Sequence, residues 1–81
     1  MKLLYFAWLR QKIGRDEEQL DLPSQSLRAL IAHLRTCGPE YASAFSDESR
    51  IRAAINQEHA GLDAMAAPGD EVAFFPPVTG G

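Results

Sequence analysis

Cys37 is the chain's single cysteine. Neither an internal disulfide nor a multi-cysteine zinc site can form from one thiol. Small secreted domains normally lean on disulfides, so a reducing, cytoplasmic setting is expected. Positive charge is also scarce. Eight Lys and Arg face eleven Asp and Glu, leaving a net charge of −3 and a pI near 5.2. Nucleic-acid-binding domains usually carry a basic patch or stripe, so no nucleic-acid partner is expected. Long apolar runs are missing too: nothing approaches the roughly 18 residues that span a bilayer. The opening stretch Met1 to Arg10 has a short apolar run and no small-residue cleavage site, so no signal peptide is expected. No membrane partner is expected.

What remains is ordinary globular composition, 46% hydrophobic and 23% charged over 81 residues. That length supports one domain, burying only about 60% of the surface its unfolded form exposes. It leaves no room for a large active-site cavity beside a core.

Seven apolar residues run from Leu3 to Leu9. Such a run predicts a central strand buried on most of both faces. Arg10 to Gly14 reads as one helical turn ended by Gly14. Glu17 to Leu22 reads as an edge strand, hairpin-paired to the first. After Pro23, Ser24 or Ser26 is a candidate N-cap. Leu27, Leu30, Ile31 and Leu34 then fall at i, i+3, i+4 and i+7, the stripe of an amphipathic helix. Gly38 is expected to supply its left-handed cap, with Pro39 stopping it. Glu40 to Phe45 suggests a second short helix with Tyr41, Ala44 and Phe45 inward. Ile51 to Asn56 and Glu71 to Phe75 read as strands, with a turn at Ala67-Pro68-Gly69-Asp70. The first and last strands are the most apolar and belong at the sheet centre, paired in parallel across the helical crossover. The expected fold is α+β, a β-grasp with a mixed sheet of four to five strands folded over one main helix.

Internal chemistry is sparse. His33 lies off the helix stripe and reads as solvated. His59 falls in an expected turn, and two histidines without a third neighbour make a poor metal site. Cys37 has no basic neighbour in sequence to activate it, so helix-end packing is its expected role. Asp16-Glu17-Glu18 reads as a solvated strand edge, and Asp70-Glu71 as a cap on the turn before the last strand.

The end of the chain is different: Phe74-Phe75-Pro76-Pro77-Val78-Thr79-Gly80-Gly81. A strongly apolar strand leads directly into two prolines, which hold the backbone extended. The six residues from Pro76 span up to about 20 Å at roughly 3.3 Å each. Gly80 and Gly81 lack side chains and fit channels too narrow for other residues. The chain therefore divides into a domain, residues 1–75, and a flexible tail, residues 76–81, able to carry a reactive carboxyl group into another protein.

These residues resemble the small-subunit family of molybdopterin synthase, which are ubiquitin-like sulfur carriers. The resemblance covers the whole chain: Leu3 to Arg10, the helix Leu27 to Leu34, Ala53-Ala54-Ile55-Asn56-Gln57, and Gly69 to Gly81. The aromatic-proline approach to the diglycine is its most specific part. It implies that an ATP- and Mg-using, E1-like partner adenylates Gly81, that sulfur replaces AMP, and that the Gly81 thiocarboxylate (1-thioglycine) delivers sulfur to cyclic pyranopterin monophosphate. It implies no cofactor bound by this chain, no stand-alone catalysis, and a large catalytic subunit in a heterotetramer of two large and two small chains. Strand alternation puts Leu3, Tyr5 and Ala7 on one side of the first strand and Leu4, Phe6 and Trp8 on the other. If Phe6 and Phe75 share the outer face they form an apolar interface patch, and the resemblance points to the same two positions. Partner contacts are thus expected at Phe6, Phe75, Pro76, Pro77, Val78 and Thr79, with Gly80 and Gly81 at the reacting end. His59 is a departure, standing where that family carries an apolar residue in the patch. A carrier for thiamine or another thio-product, a protein modifier joined through its diglycine, and a plain interaction domain with an inert tail are the other readings.

Overall fold

The computed structural model describes residues 1–77. Seven strands are present among them: β1 Lys2–Tyr5, β2 Glu17–Gln19, β3 Gln25–Ser26, β4 Arg52–Ile55, β5 Glu58–Ala60, β6 Met65–Ala66 and β7 Glu71–Phe75. Three α-helices accompany them: α1 Ala7–Ile13, α2 Leu27–Leu34 and α3 Pro39–Ala44. A short 3-10 turn covers Glu48–Arg50. Five strands make a mixed sheet in the order β2-β1-β7-β4-β5, and β3 pairs with β6 in a separate ribbon. β1 and β7 lie at the centre in parallel, Leu3 opposite Val72 and Tyr5 opposite Phe74. The other pairings within the sheet are antiparallel. This is the β-grasp arrangement that the apolar first and last strands indicate.

The core sits between the sheet and α2. Leu27, Leu30, Ile31 and Leu34 are all fully buried, as their spacing requires. The Ser26 hydroxyl caps the helix by accepting from the Ala29 amide at 3.1 Å. Tyr5, Phe45 and Phe74 form the aromatic centre. Phe45 meets Phe74 edge-on at 5.2 Å between centroids, and Tyr5 stacks on Phe74 at 6.4 Å. Tyr41 and Ala44 are buried from α3.

Several expectations need correction. The run Leu3 to Leu9 is not one strand: β1 ends at Tyr5 and α1 begins at Ala7. An apolar run carries no period of its own, and here Leu9 and Ile13 are the buried i, i+4 pair of a helix. The switch occurs through Ala7, held at φ 55°, a costly left-handed conformation for a residue with a Cβ. Gly14, at φ 87°, does end that helix, its amide donating to the Arg10 carbonyl. Gly38 does not cap α2. That helix closes at Arg35 in ordinary right-handed geometry, Gly38 is extended, and Pro39 starts α3. His59 lies in β5 rather than in a turn. The turn is one hairpin step earlier, at Asn56 and Gln57, with φ of 51° and 71°. Two positive φ values between paired Ile55 and Glu58 make a type I′ connection.

Candidate functional site

Register determines what the uncovered face of the sheet presents. In β7, Val72 and Phe74 are buried while Glu71, Ala73 and Phe75 are half-buried. Inward and outward residues thus alternate along the strand. Ala73 pairs with Leu4 on one side and with Ala54 on the other, and Ala54 pairs with His59. Leu4, Ala73, Ala54 and His59 therefore form a row across the outer face. The next row holds Phe75 beside Arg52. Phe6 follows Tyr5 as Phe75 follows Phe74, and its amide donates to the Phe74 carbonyl at 3.1 Å. That bond carries the parallel pairing one residue past β1 and sets Phe6 beside Phe75. Phe6 is 45% exposed, one of two large apolar side chains open to water among the described residues.

The small Ala54 lets two larger neighbours meet. His59 and Phe75 contact edge-on at 5.5 Å, and Ala54 beneath them is 8% exposed. The patch thus has an aromatic centre with a polar nitrogen-bearing ring at one margin. Trp8, expected on this face, instead rides on α1, half-buried. The Lys12 ammonium stands 5.7 Å from its ring and the Arg50 guanidinium 5.0 Å. Arg52 was not singled out from the sequence. Strand alternation about the buried Ile51 and Ala53 is the signal that places it outward.

β7 then passes into Pro76 and Pro77, both half-buried. The site assignments at Val78, Thr79, Gly80 and Gly81 lie outside the described residues. The approach to this end is anchored at the far end of β7. Asp70 accepts from the Ala67 amide at 2.9 Å and from the Asn56 side-chain amide at 3.1 Å. These two bonds hold its carboxyl below the ordinary carboxylate range. Asn56 in turn accepts from the Glu71 amide at 3.0 Å. The carboxylate caps the turn as expected and also clamps it to the β4–β5 hairpin.

Glu18 overturns the reading of its segment as wholly solvated. It pairs with Leu3 in the antiparallel ladder, so it points inward with Leu3. One carboxylate oxygen accepts from the Tyr5 hydroxyl at 2.7 Å and from the Tyr41 hydroxyl at 2.6 Å. The other accepts from Arg15 at 3.2 Å. Burial, and then the carboxylate, push both phenols up: Tyr41 to about 12 and Tyr5 further. Asp16 and Glu17 do lie at the surface, paired with Arg10 and Lys2. Cys37 is exposed rather than packed, its sulfur 3.7 Å from the His33 carbonyl, and His33 is exposed. Among the described residues no group of three or more His, Cys, Asp or Glu side chains could hold a metal, and no ligand-sized pocket is formed. No helix among them is long and apolar enough to cross a membrane.

Comparison with known proteins places the chain. The family model described as the ThiS family matches residues 3–81. The chain belongs to the ThiS family. Two curated relatives of this ThiS-family chain are named molybdopterin synthase sulfur carrier subunit. The one from Escherichia coli is 38% identical over 81 residues, covering 100% of this chain and 99% of the relative. The one from Haemophilus influenzae is 40% identical with the same coverage. Among solved structures, small archaeal modifier protein 1 of Haloferax volcanii superposes with a TM-score of 0.78 at 30% identity. It covers 96% of this chain and 97% of its own.

Proposed function

We propose that this ThiS-family chain is the sulfur carrier subunit of molybdopterin synthase, acting in the cytoplasm in molybdenum cofactor biosynthesis. The observation that carries the reading is the path of β7. A central strand, fixed by pairing on both sides, runs past the aromatic patch of Phe6 and Phe75 directly into Pro76-Pro77 and the diglycine sequence. Docking of the patch on a large subunit would orient the tail toward that subunit's interior. The names of the two curated relatives support the same reading.

The chemistry follows from the weakness of a carboxylate as an electrophile. An E1-like partner using ATP and Mg converts the Gly81 carboxylate to an acyl adenylate, releasing pyrophosphate. A sulfur donor then displaces AMP, which leaves with one carboxylate oxygen. The thiocarboxylate formed is ionised at neutral pH, and its soft sulfur is a strong nucleophile. Once the thiocarboxylate enters the large subunit of a heterotetramer, its sulfur bonds to a carbon of cyclic pyranopterin monophosphate. Water then cleaves the Gly81 C–S bond and restores the carboxylate, and two such deliveries complete the dithiolene. Acid–base and phosphate-binding groups for that step belong to the large subunit.

Intact-mass analysis of chain co-produced with its activating enzyme tests this. One sulfur in place of one oxygen at Gly81 is expected, and its persistent absence rejects the reading. Every buried core side chain among the described residues lies between Met1 and Phe74. Deleting Gly81 should therefore abolish sulfur loading without moving the thermal midpoint. The likeness to small archaeal modifier protein 1 favours a second reading, conjugation through the diglycine to lysines of other proteins. Covalent adducts of higher mass in cells are its signature.

A further inference from the structure

Five of the chain's eight cationic side chains have a carboxylate within 4.0 Å: Lys2, Arg10, Arg15, Arg28 and Arg35. Among the described residues, Lys12, Arg50 and Arg52 do not. These three exposed cations are gathered at one place. Arg52 stands opposite Phe75, the last residue of β7. Arg50 lies two residues before it, across the buried Ile51. Arg50 and Lys12 both approach Trp8, whose helix starts one residue after Phe6. In a chain of net charge −3, the cationic side chains left without a carboxylate among the described residues are thus collected where the last strand hands over to Pro76-Pro77.

We infer that this basic collar docks on an acidic rim around the channel of the large subunit that receives the tail. The inference rests on the sulfur-carrier reading above and specifies the chemistry of its partner surface. Two arguments select an acidic protein rim over a nucleotide phosphate. A fully extended tail of six residues reaches about 20 Å, so phosphates bound at the carboxyl end of an extended tail would lie beyond the reach of these side chains. The collar also borders the Phe6 and Phe75 patch, and charges bordering an apolar centre act mainly on encounter rate and orientation. Arg52 carries little of its own structure: among the described residues its guanidinium donates only to the Ser49 and Ile51 carbonyls, at 3.2 Å each. Its removal leaves the core intact.

The test is stopped-flow association of the full chain with the molybdopterin synthase large subunit of the same organism, at low and high salt. The double variant Arg50→Gln/Arg52→Gln is expected to lower the association rate about tenfold at low salt. It should flatten the salt dependence and leave dissociation near wild type. The double variant Arg50→Lys/Arg52→Lys should restore the rate. Lys2→Gln removes a charge held by Glu17 beside the first residue of β7, at the opposite end of that strand from Phe75, and should leave the rate unchanged. Unaltered salt dependence in the glutamine variant, or an equal loss in Lys2→Gln, overturns the collar while leaving the carrier reading intact. Failure of the wild-type chain to bind the large subunit at all overturns both.

Discussion

Replacing Glu18 by alanine is expected to destabilise the fold more than any other single change at the strand edge. The carboxylate joins three elements, accepting from Tyr5 on β1, Tyr41 on α3 and Arg15 in the loop before β2. Its side chain is only 12% exposed, and Tyr5 and Tyr41 are 1% and 7% exposed. Glu18→Ala therefore strands two phenolic hydroxyls. Leaving a buried donor unpaired costs about 1–3 kcal/mol. The exposed Arg15 pair adds little. Water can reach the vacated position in part, so the low end of the summed range of about 2–6 kcal/mol applies, about 2–3 kcal/mol. For a domain of this size that is a fall in thermal midpoint of roughly 10–20 °C. Glu18→Gln keeps one acceptor oxygen for the two phenols and loses charge assistance and the exposed Arg15 bond, about 1 kcal/mol together. Tyr41→Phe should cost about 1 kcal/mol in the wild type and much less in the Glu18→Ala background, a coupling that a double-mutant cycle reads directly. Denaturant titration of the four proteins supplies the numbers. A Glu18→Ala penalty under about 0.5 kcal/mol, or strict additivity with Tyr41→Phe, would refute the reasoning.

Alkaline titration checks the same cluster. Tyr5 and Tyr41 are the chain's two tyrosines, and both are raised above the ordinary 10.0, Tyr41 to about 12. The folded state then holds protons that the unfolded chain gives up. Stability is complete below pH 10 and falls as pH rises toward about 12. Near-ultraviolet absorbance should show little tyrosinate at pH 10 in the native protein. On the docking face, Phe75→Ala should weaken binding to the large subunit by about 2 kcal/mol, roughly 30-fold. Fold stability should fall far less, as calorimetry on both sides can verify. His59→Leu should tighten the same complex by removing a polar ring from the patch, and a weaker complex would contradict that. Asn56→Ala removes both the Asp70 and Glu71 bonds at a left-handed position. It should lower stability by about 1–3 kcal/mol, measured by denaturant midpoint.

The sheet centre was legible because strands apolar on both faces leave an unambiguous mark. Leu3 to Tyr5 and Val72 to Phe75 have few polar residues to distribute, and the structure turns one of their faces into the core and leaves the other as the half-buried outer patch. The helix Leu27–Leu34 was legible for the opposite reason: its apolar residues keep a strict 3.6-residue period with a serine before them. Legibility failed where two periods overlap. Phe6 to Leu9 satisfies a strand as well as a helix, and the decision rests on Ala7 taking a conformation that no residue preference signals. The Asn56–Gln57 turn failed similarly. Gln57 is a poor advertisement for positive φ, and the turn is secured by Asp70 and Glu71, far along the chain.

The site divides along the same line. Strand alternation groups Phe6 with Leu4 and Phe75 with Ala73, and the family resemblance points to Phe6 and Phe75, although β1 stops at Tyr5, one residue before Phe6. Their neighbours could not be assigned in this way, because cross-strand partners depend on register. Whether Arg52 or Arg50 stands beside Phe75 turns on a shift of two residues, invisible until β4 and β7 are paired. The inward turn of Glu18 is likewise a consequence of its pairing with Leu3, although its segment reads as three exposed acids. Charge in a sequence locates side chains that want water or a partner, and only the ladder decides which of these each one receives. For this chain the ladder gives Glu18 two phenols in the interior. It leaves Arg52 at the surface beside the strand that leads to the tail, where a partner's carboxylate can complete the pairing.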